Sequence, residues 1–273
     1  MYKSNYKPYF HTIILLTVYL LPFIGFAKDS KLNKVKIRAL KIKKKVDQPH
    51  QIAGGEQWLK QHLPHSPNRD LQASQSYFPF IPNQEDTLSL VSTVCEGIGQ
   101  EIVALYGTRP PGYRWTPPTV LVLYSYEGKK RFVLDLRDSL RAITNEADFA
   151  SPHIVHALVR DEILYVSLSH KTYAKATKGK NAYIQAFDLQ GRWLWNSDYL
   201  VANANNFLIL GDHLITGYGF TAEADYLYQL NRYTGKTLKK YKLKNGPNWF
   251  AYKAPGQLHI LTYNRDMVLQ LTQ

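Results

Sequence analysis

Asn181-Ala182-Tyr183-Ile184-Gln185-Ala186-Phe187-Asp188-Leu189-Gln190-Gly191-Arg192-Trp193-Leu194-Trp195 is the stretch that decides the fold. Side chains alternate along an extended chain, so Tyr183, Gln185 and Phe187 share one face of a strand and Ala182, Ile184 and Ala186 the other. Asp188–Gly191 is a turn signal, and Arg192–Trp195 leaves it as a short second strand. The spacing therefore predicts a hairpin, and the chain downstream of about residue 99 reads as variants of it.

Two strands precede the hairpin in each repeat. The first is Ile154–Val159, echoed by Phe207–Leu210 and Trp249–Tyr252. The second follows a polar or glycine turn at Asp161, Gly211 and Gly256. The hairpin itself recurs from Tyr226 as Y-L-Y-Q-L-N-R-Y-T-G-K-T-L. An earlier, looser unit holds Glu101–Tyr106, Val120–Tyr124, a Gly128 turn and Arg131–Leu136. The turns at 161, 211 and 256 are spaced by 50 and then 45 residues. Four short strands in a period of about 40–50 residues are the mark of a β-propeller blade. The 20 tyrosines and five tryptophans suit such a strand-rich fold.

The hairpin also carries a family resemblance. Ala186-Phe187-Asp188-Leu189-Gln190-Gly191-Arg192-Trp193-Leu194-Trp195 resembles the repeat of the quinoprotein, or pyrroloquinoline-quinone-like, β-propellers. In that repeat a strand ends in hydrophobic-Asp, turns at Thr-Gly or an equivalent, and exits through Leu-Trp. Leu230-Asn231-Arg232-Tyr233-Thr234-Gly235-Lys236-Thr237-Leu238 is similar, with Asn in place of Asp and Lys239 in place of the last Trp. The resemblance covers Ile154 to the C-terminus well and Thr87–Arg137 weakly. It implies a fold and almost no chemistry: the family's quinone-dependent dehydrogenases use about twice as many blades and dedicated acidic and calcium-binding positions. No cofactor and no metal are implied for this chain.

The expected fold class is all-β, a small β-propeller of about four blades, with five as the alternative count. Strand counting gives about three complete blades and a fourth that ends early after Met267–Leu271. A propeller must close to hide its edges, and a strand from the N-terminal arm is the expected donor. Along Lys34–Lys45, Val35, Ile37 and Ala39 alternate as in an edge strand, while Leu40 and Ile42 fall on the opposite parity. A bulge at Ala39–Leu40 repairs that pattern. The competing reading is an amphipathic helix through Leu32, Val35, Ala39, Ile42 and Val46.

Residues 1–27 read as a secretory leader. Lys3 and Lys7 precede the apolar stretch Thr12–Phe26, and Gly25-Phe26-Ala27 offers a small-x-small cleavage site. The apolar core is short for a membrane span, which needs about 20 residues. The expected product is periplasmic or secreted, begins at Lys28, and keeps no stable transmembrane segment. Residues 28–86 are predicted to form a basic arm and a Pro-rich connector, and 87–273 the propeller. Cys95 is the single cysteine, so no internal disulfide is possible, and its apolar neighbours predict a buried, inert thiol.

The formal charge of +13 is concentrated in one place. Lys28–Lys45 holds nine basic residues against Asp29, and removing this arm and the leader leaves the remainder at +3. Nucleic acid is therefore not an expected partner. Lys34, Lys36, Arg38, Lys41, Lys43, Lys44 and Lys45 form one candidate surface for anionic lipid or polysaccharide. Lysines guarding an edge strand explain the same residues equally well.

No catalytic motif is present: there is no G-x-S-x-G, H-E-x-x-H, Walker-type loop or C-x-x-C. His153 and His156 stand three apart, a spacing that puts them on opposite faces of a strand. The candidate ligand-binding residues lie in the connections at one end of the blades. They are His170, Tyr173, Asn203, Asn205, Tyr218, Phe220, Glu223, Trp249, Tyr263 and Arg265, with Thr216–Asp225 the most unusual connection. Few polar groups among aromatic walls suit a protein, peptide or small-molecule ligand. The same asparagines and tyrosines also serve turns and core edges. The leading expectation is a non-catalytic binding or scaffolding module. The alternative is a lyase or hydrolase with His170 or Glu223 as general base, although no nucleophile accompanies them.

Overall fold

A computed structural model describes residues 58, 61–62, 88–94, 100–108, 116–137, 140, 152–170, 172–253, 256–262 and 265–272, together with the backbone of 36–45. The leader, most of the connector, Cys95, Tyr263 and Lys34 lie outside these residues. Four four-stranded antiparallel sheets account for the strands that are described.

Blade one is a meander of β2 (Ser89–Val94), β3 (Ile102–Gly107), β4 (Pro118–Tyr124) and β5 (Lys130–Asp135). Blade two follows with β6 (Pro152–Arg160), β7 (Ile163–His170), β8 (Tyr183–Asp188) and β9 (Trp193–Asn196). Blade three is β10 (Leu208–Leu210), β11 (His213–Tyr218), β12 (Tyr226–Asn231) and β13 (Thr237–Lys242). Blade four contains β14 (Pro247–Lys253), β15 (Gln257–Thr262) and β16 (Arg265–Thr272), and its fourth strand is β1 (Lys36–Lys45) from the N-terminal arm.

The arm is thus a strand, antiparallel to β16 from Lys36 opposite Thr272 to Lys45 opposite Arg265. The register slips between Ala39 and Lys41, leaving Leu40 as the extra residue, and again between Ile42 and Lys44. The first slip is the bulge that the parity change in the sequence demands. Blade one is a complete blade, because Ser89–Val94 supplies the first strand that the looser repeat pattern did not resolve.

Apolar side chains fill both faces of the inner strands. In blade one, Val103, Leu105, Leu121 and Leu123 join a core shared with blades two and three. Ile102, Ala104, Tyr106, Val120, Val122 and Tyr124 are buried on the opposite face. This two-sided burial explains why these strands read as continuous apolar runs rather than clean alternation. A second core joins Ile215 and Leu227 of blade three to Phe250, Leu258, Ile260 and Leu269 of blade four.

The hairpin shows how neighbouring blades lock. Trp195 lies opposite Ala186, and Ala186 lies opposite Tyr165, so a small residue separates two large rings on one sheet face. Gly235, in the corresponding turn of blade three at φ +70°, presses its backbone on the Trp195 indole. A methyl group there would overlap Cε3 and stand 2.8 Å from Cζ3. Gly191 seats in the same way over Phe132 of blade one. Asp188 holds the first of these turns by accepting from the Gln190 and Arg192 backbone N–H groups, each at 2.9 Å.

Two consequences can be measured. Gly211 has φ +57° but nothing within 4 Å of where a side chain would begin. Gly211→Ala should therefore lose only about 1 kcal/mol of stability, from backbone strain alone, whereas Gly235→Ala adds the collision with Trp195 and should lose roughly 2–3 kcal/mol in urea denaturation. The second concerns His156, buried edge-on against Phe207 with ring centroids 5.0 Å apart. Burial lowers its pKa from 6.5 to about 4. A depressed folded-state value means stability that is present above pH 6.5 and lost as pH falls towards 4. Wild type should lose about 3 kcal/mol more across that window than His156→Leu, read from urea midpoints at each pH.

Candidate functional site

In a meander blade, the connections between second and third strands and those leading to the next blade emerge at the same end. Among the described residues these include 172–182, 197–207, 219–225 and 243–246, and Thr262 and Arg265 flank the corresponding connection of blade four. Two of the long connections, from blades two and three, are fastened to each other. Glu223 Oε1 accepts the Ala174 backbone N–H at 2.8 Å, and its Oε2 accepts a short hydrogen bond from the Tyr218 hydroxyl. Tyr173 and Phe220 meet edge to face with centroids 5.0 Å apart. Tyr173 remains 45% exposed, so this pair forms an aromatic ridge open to solvent.

Tyr218 itself is buried, and burial, reinforced by the hydrogen bond to Glu223, pushes its pKa well above the ordinary phenol value. It stays a neutral donor and positions Glu223. His170 is also buried, with Nδ1 3.3 Å from Asn181 Oδ1 and Nε2 3.3 Å from the Leu140 carbonyl. Burial holds its pKa below the usual histidine value against the opposing pull of those two oxygens. Both ring nitrogens face protein atoms, so the imidazole braces the 172–182 connection.

The asparagines share one device. Asn203 accepts the Gly219 N–H at 3.1 Å and donates to the Gly219 carbonyl at 2.9 Å. Asn206 does the same to Phe250, at 2.8 and 2.9 Å, and Asn181 to His170, at 2.8 and 3.3 Å. Each side-chain amide stands in for a peptide group, which satisfies backbone N–H and C=O groups on a side that no neighbouring strand covers. Asn205 contributes its backbone N–H to the Asn248 carbonyl at 2.8 Å and is exposed. Trp249 lies elsewhere, in a cluster with Trp58, Ala251 and Leu261. That cluster is held by Trp58 Nε1 donating to Asp266 Oδ1 at 3.1 Å.

Glu223 and Arg265 are brought together. They line an open depression of about 600 Å³ with Ala222, Ala224, Asp225, Lys242, Leu243, Lys244 and Asn245. Gly219 and Gly246 make this close approach possible: a methyl group at Gly219 would collide with Asp225 Oδ1 and stand 2.5 Å from Gly246 Cα. Burial raises the Asp225 pKa above the ordinary carboxylate value. Lys242, Lys244 and Asn245 were not singled out by sequence reasoning, and only the paired glycines around them hinted at a crowded junction. Among the described residues, no three His, Cys, Asp or Glu side chains converge as a metal site. His153 and His156 sit opposite Ser169 and Ser167, with a register slip between Ile154 and His156.

No family model and no curated protein matches the chain. Among solved structures it is similar to BamB from Moraxella catarrhalis, at 18% identity and a TM-score of 0.32, covering 61% of this chain and 45% of that one. It is also similar to a europium-containing methanol dehydrogenase, at 10% identity and a TM-score of 0.41, covering 67% and 42%. A third likeness is to the computationally designed Ika8 protein, at 10% identity and a TM-score of 0.26, covering 69% of each chain. The chain spans less than half the length of the first two. Its four meander sheets, the last completed from the N-terminus, identify the architecture by themselves. The chain is a small β-propeller.

Proposed function

We propose that the chain is an exported, non-catalytic binding module that holds a peptide, protein or small ligand at the loop face around Tyr173, Phe220 and Glu223. The observation that carries this reading is the fastening of two connections from different blades through Glu223, which fixes an exposed aromatic ridge beside an open depression. A preorganised ridge of this kind keeps the ordering cost of binding low. Catalysis is the weaker reading, since His170 is committed to Asn181 and Leu140, and Glu223 to Ala174 and Tyr218. The basic arm serves first as the edge of blade four, in keeping with the cations on two of the three other outer strands: Lys130 and Arg131 on β5, and Lys239, Lys240 and Lys242 on β13. Export rests on the composition of residues 1–27.

Peptides selected from a random display library against the full chain should bind at least about tenfold more weakly to the Tyr173→Ser/Phe220→Ser double variant at unchanged thermal midpoint. Equal affinity for both proteins would remove the loop face from the proposal. Export has its own check: the protein recovered outside the cytoplasm should begin at Lys28 on N-terminal sequencing.

A further inference from the structure

Five ionisable side chains line the depression: Glu223, Asp225, Lys242, Lys244 and Arg265. Counted formally they nearly cancel, but the acids and the cations are in different situations. Both Glu223 oxygens are occupied, by the Ala174 N–H and the Tyr218 hydroxyl. Asp225 is packed against Gly219 and Gly246, where burial favours its uncharged form. On the other side, Lys242, Lys244 and Arg265 enter no ion pair among the described residues. Arg265 Nε is buried with no hydrogen-bond partner.

The Arg265 backbone is fixed, because its N–H donates to Thr262 Oγ1 at 3.0 Å and its carbonyl accepts from the same hydroxyl at 3.1 Å. The guanidinium is therefore carried by a backbone held in place at Thr262. A planar guanidinium donor fork is matched by a carboxylate or phosphate. The depression of about 600 Å³ also falls within the usual range of about 300–1,000 Å³ for small-ligand sites.

We infer that this depression takes the anionic group of the ligand, a carboxylate or a phosphate, with Arg265 as its anchor and Lys242 and Lys244 as its flanking charges. The inference deepens the loop-face reading and rests on it. The acids supply shape and bracing, and the three cations supply the recognition.

The test is a titration of the ¹⁵N-labelled full chain with succinate, with inorganic phosphate and with glucose, at an ionic strength held constant by chloride. At least one of the two anions should shift the amides of Glu223, Lys244, Asn245 and Arg265 saturably, and the tighter of the two names the group. Arg265→Gln should weaken that binding about tenfold or more. Lys244→Gln, at an exposed position, should weaken it in the same direction without touching the fold, and Lys239→Gln on β13 should leave it unchanged. No saturable shift with either anion, or the same affinity in Arg265→Gln and Lys244→Gln as in wild type, would overturn the assignment. Glucose moving these amides while both anions fail would also overturn it, yet leave the loop face standing as a binding surface. The Tyr173→Ser/Phe220→Ser comparison judges that surface separately, so each reading can fail alone.

Discussion

The pairing of β1 with β16 is the constraint on which blade four depends. Without it, β16 would present a row of unpaired N–H and C=O groups over eight residues, a template for association with other chains. The N-terminal arm removes that edge and puts its own cation-rich strand outermost. Because residues 36–45 and 265–272 meet in one sheet, blade four cannot be complete until both are present. The two register slips in β1 show the accommodation required: the lysines and the apolar residues of 36–45 do not keep one parity, and each bulge resets it.

Among the connections, the same economy recurs at the side-chain level. Glycine turns seat on the aromatic residue of the preceding blade, as Gly191 does on Phe132 and Gly235 on Trp195. Asparagine amides substitute for absent strands at Gly219, Phe250 and His170. These contacts hold the loop ends still, so Glu223 can fasten two connections and leave Tyr173 and the depression facing outward. The candidate site is thus a by-product of blade packing, held by side-chain hydrogen bonds to backbone groups.

Much of the architecture was legible in the residues. The Asp188–Gly191 turn, the recurrence at Asn231–Gly235 and the spacing of the strand turns at 161, 211 and 256 all reflect local chemistry that survives in any context. The bulge near Leu40 was legible too, because a parity change in an edge strand has few solutions. Less was legible where roles depend on what lies across a junction. His170 and Tyr218 read as ligand-binding candidates in the connections, yet both are buried braces, and Trp249 belongs to a cluster with Trp58.

The sequence by itself determined most strands downstream of about residue 99, their turns, the blade repeat and the need for a closing strand, since alternation and turn chemistry act over a few residues. Only the tertiary structure decided which charges remain available. Glu223 looks like a free acid in the sequence until Ala174, 49 positions earlier, and Tyr218 occupy its two oxygens. Arg265 gains its meaning only beside Lys244 and Asp225, from a different blade junction. Electrostatic roles are set by distance and burial in space, and neither is written in the spacing along the chain.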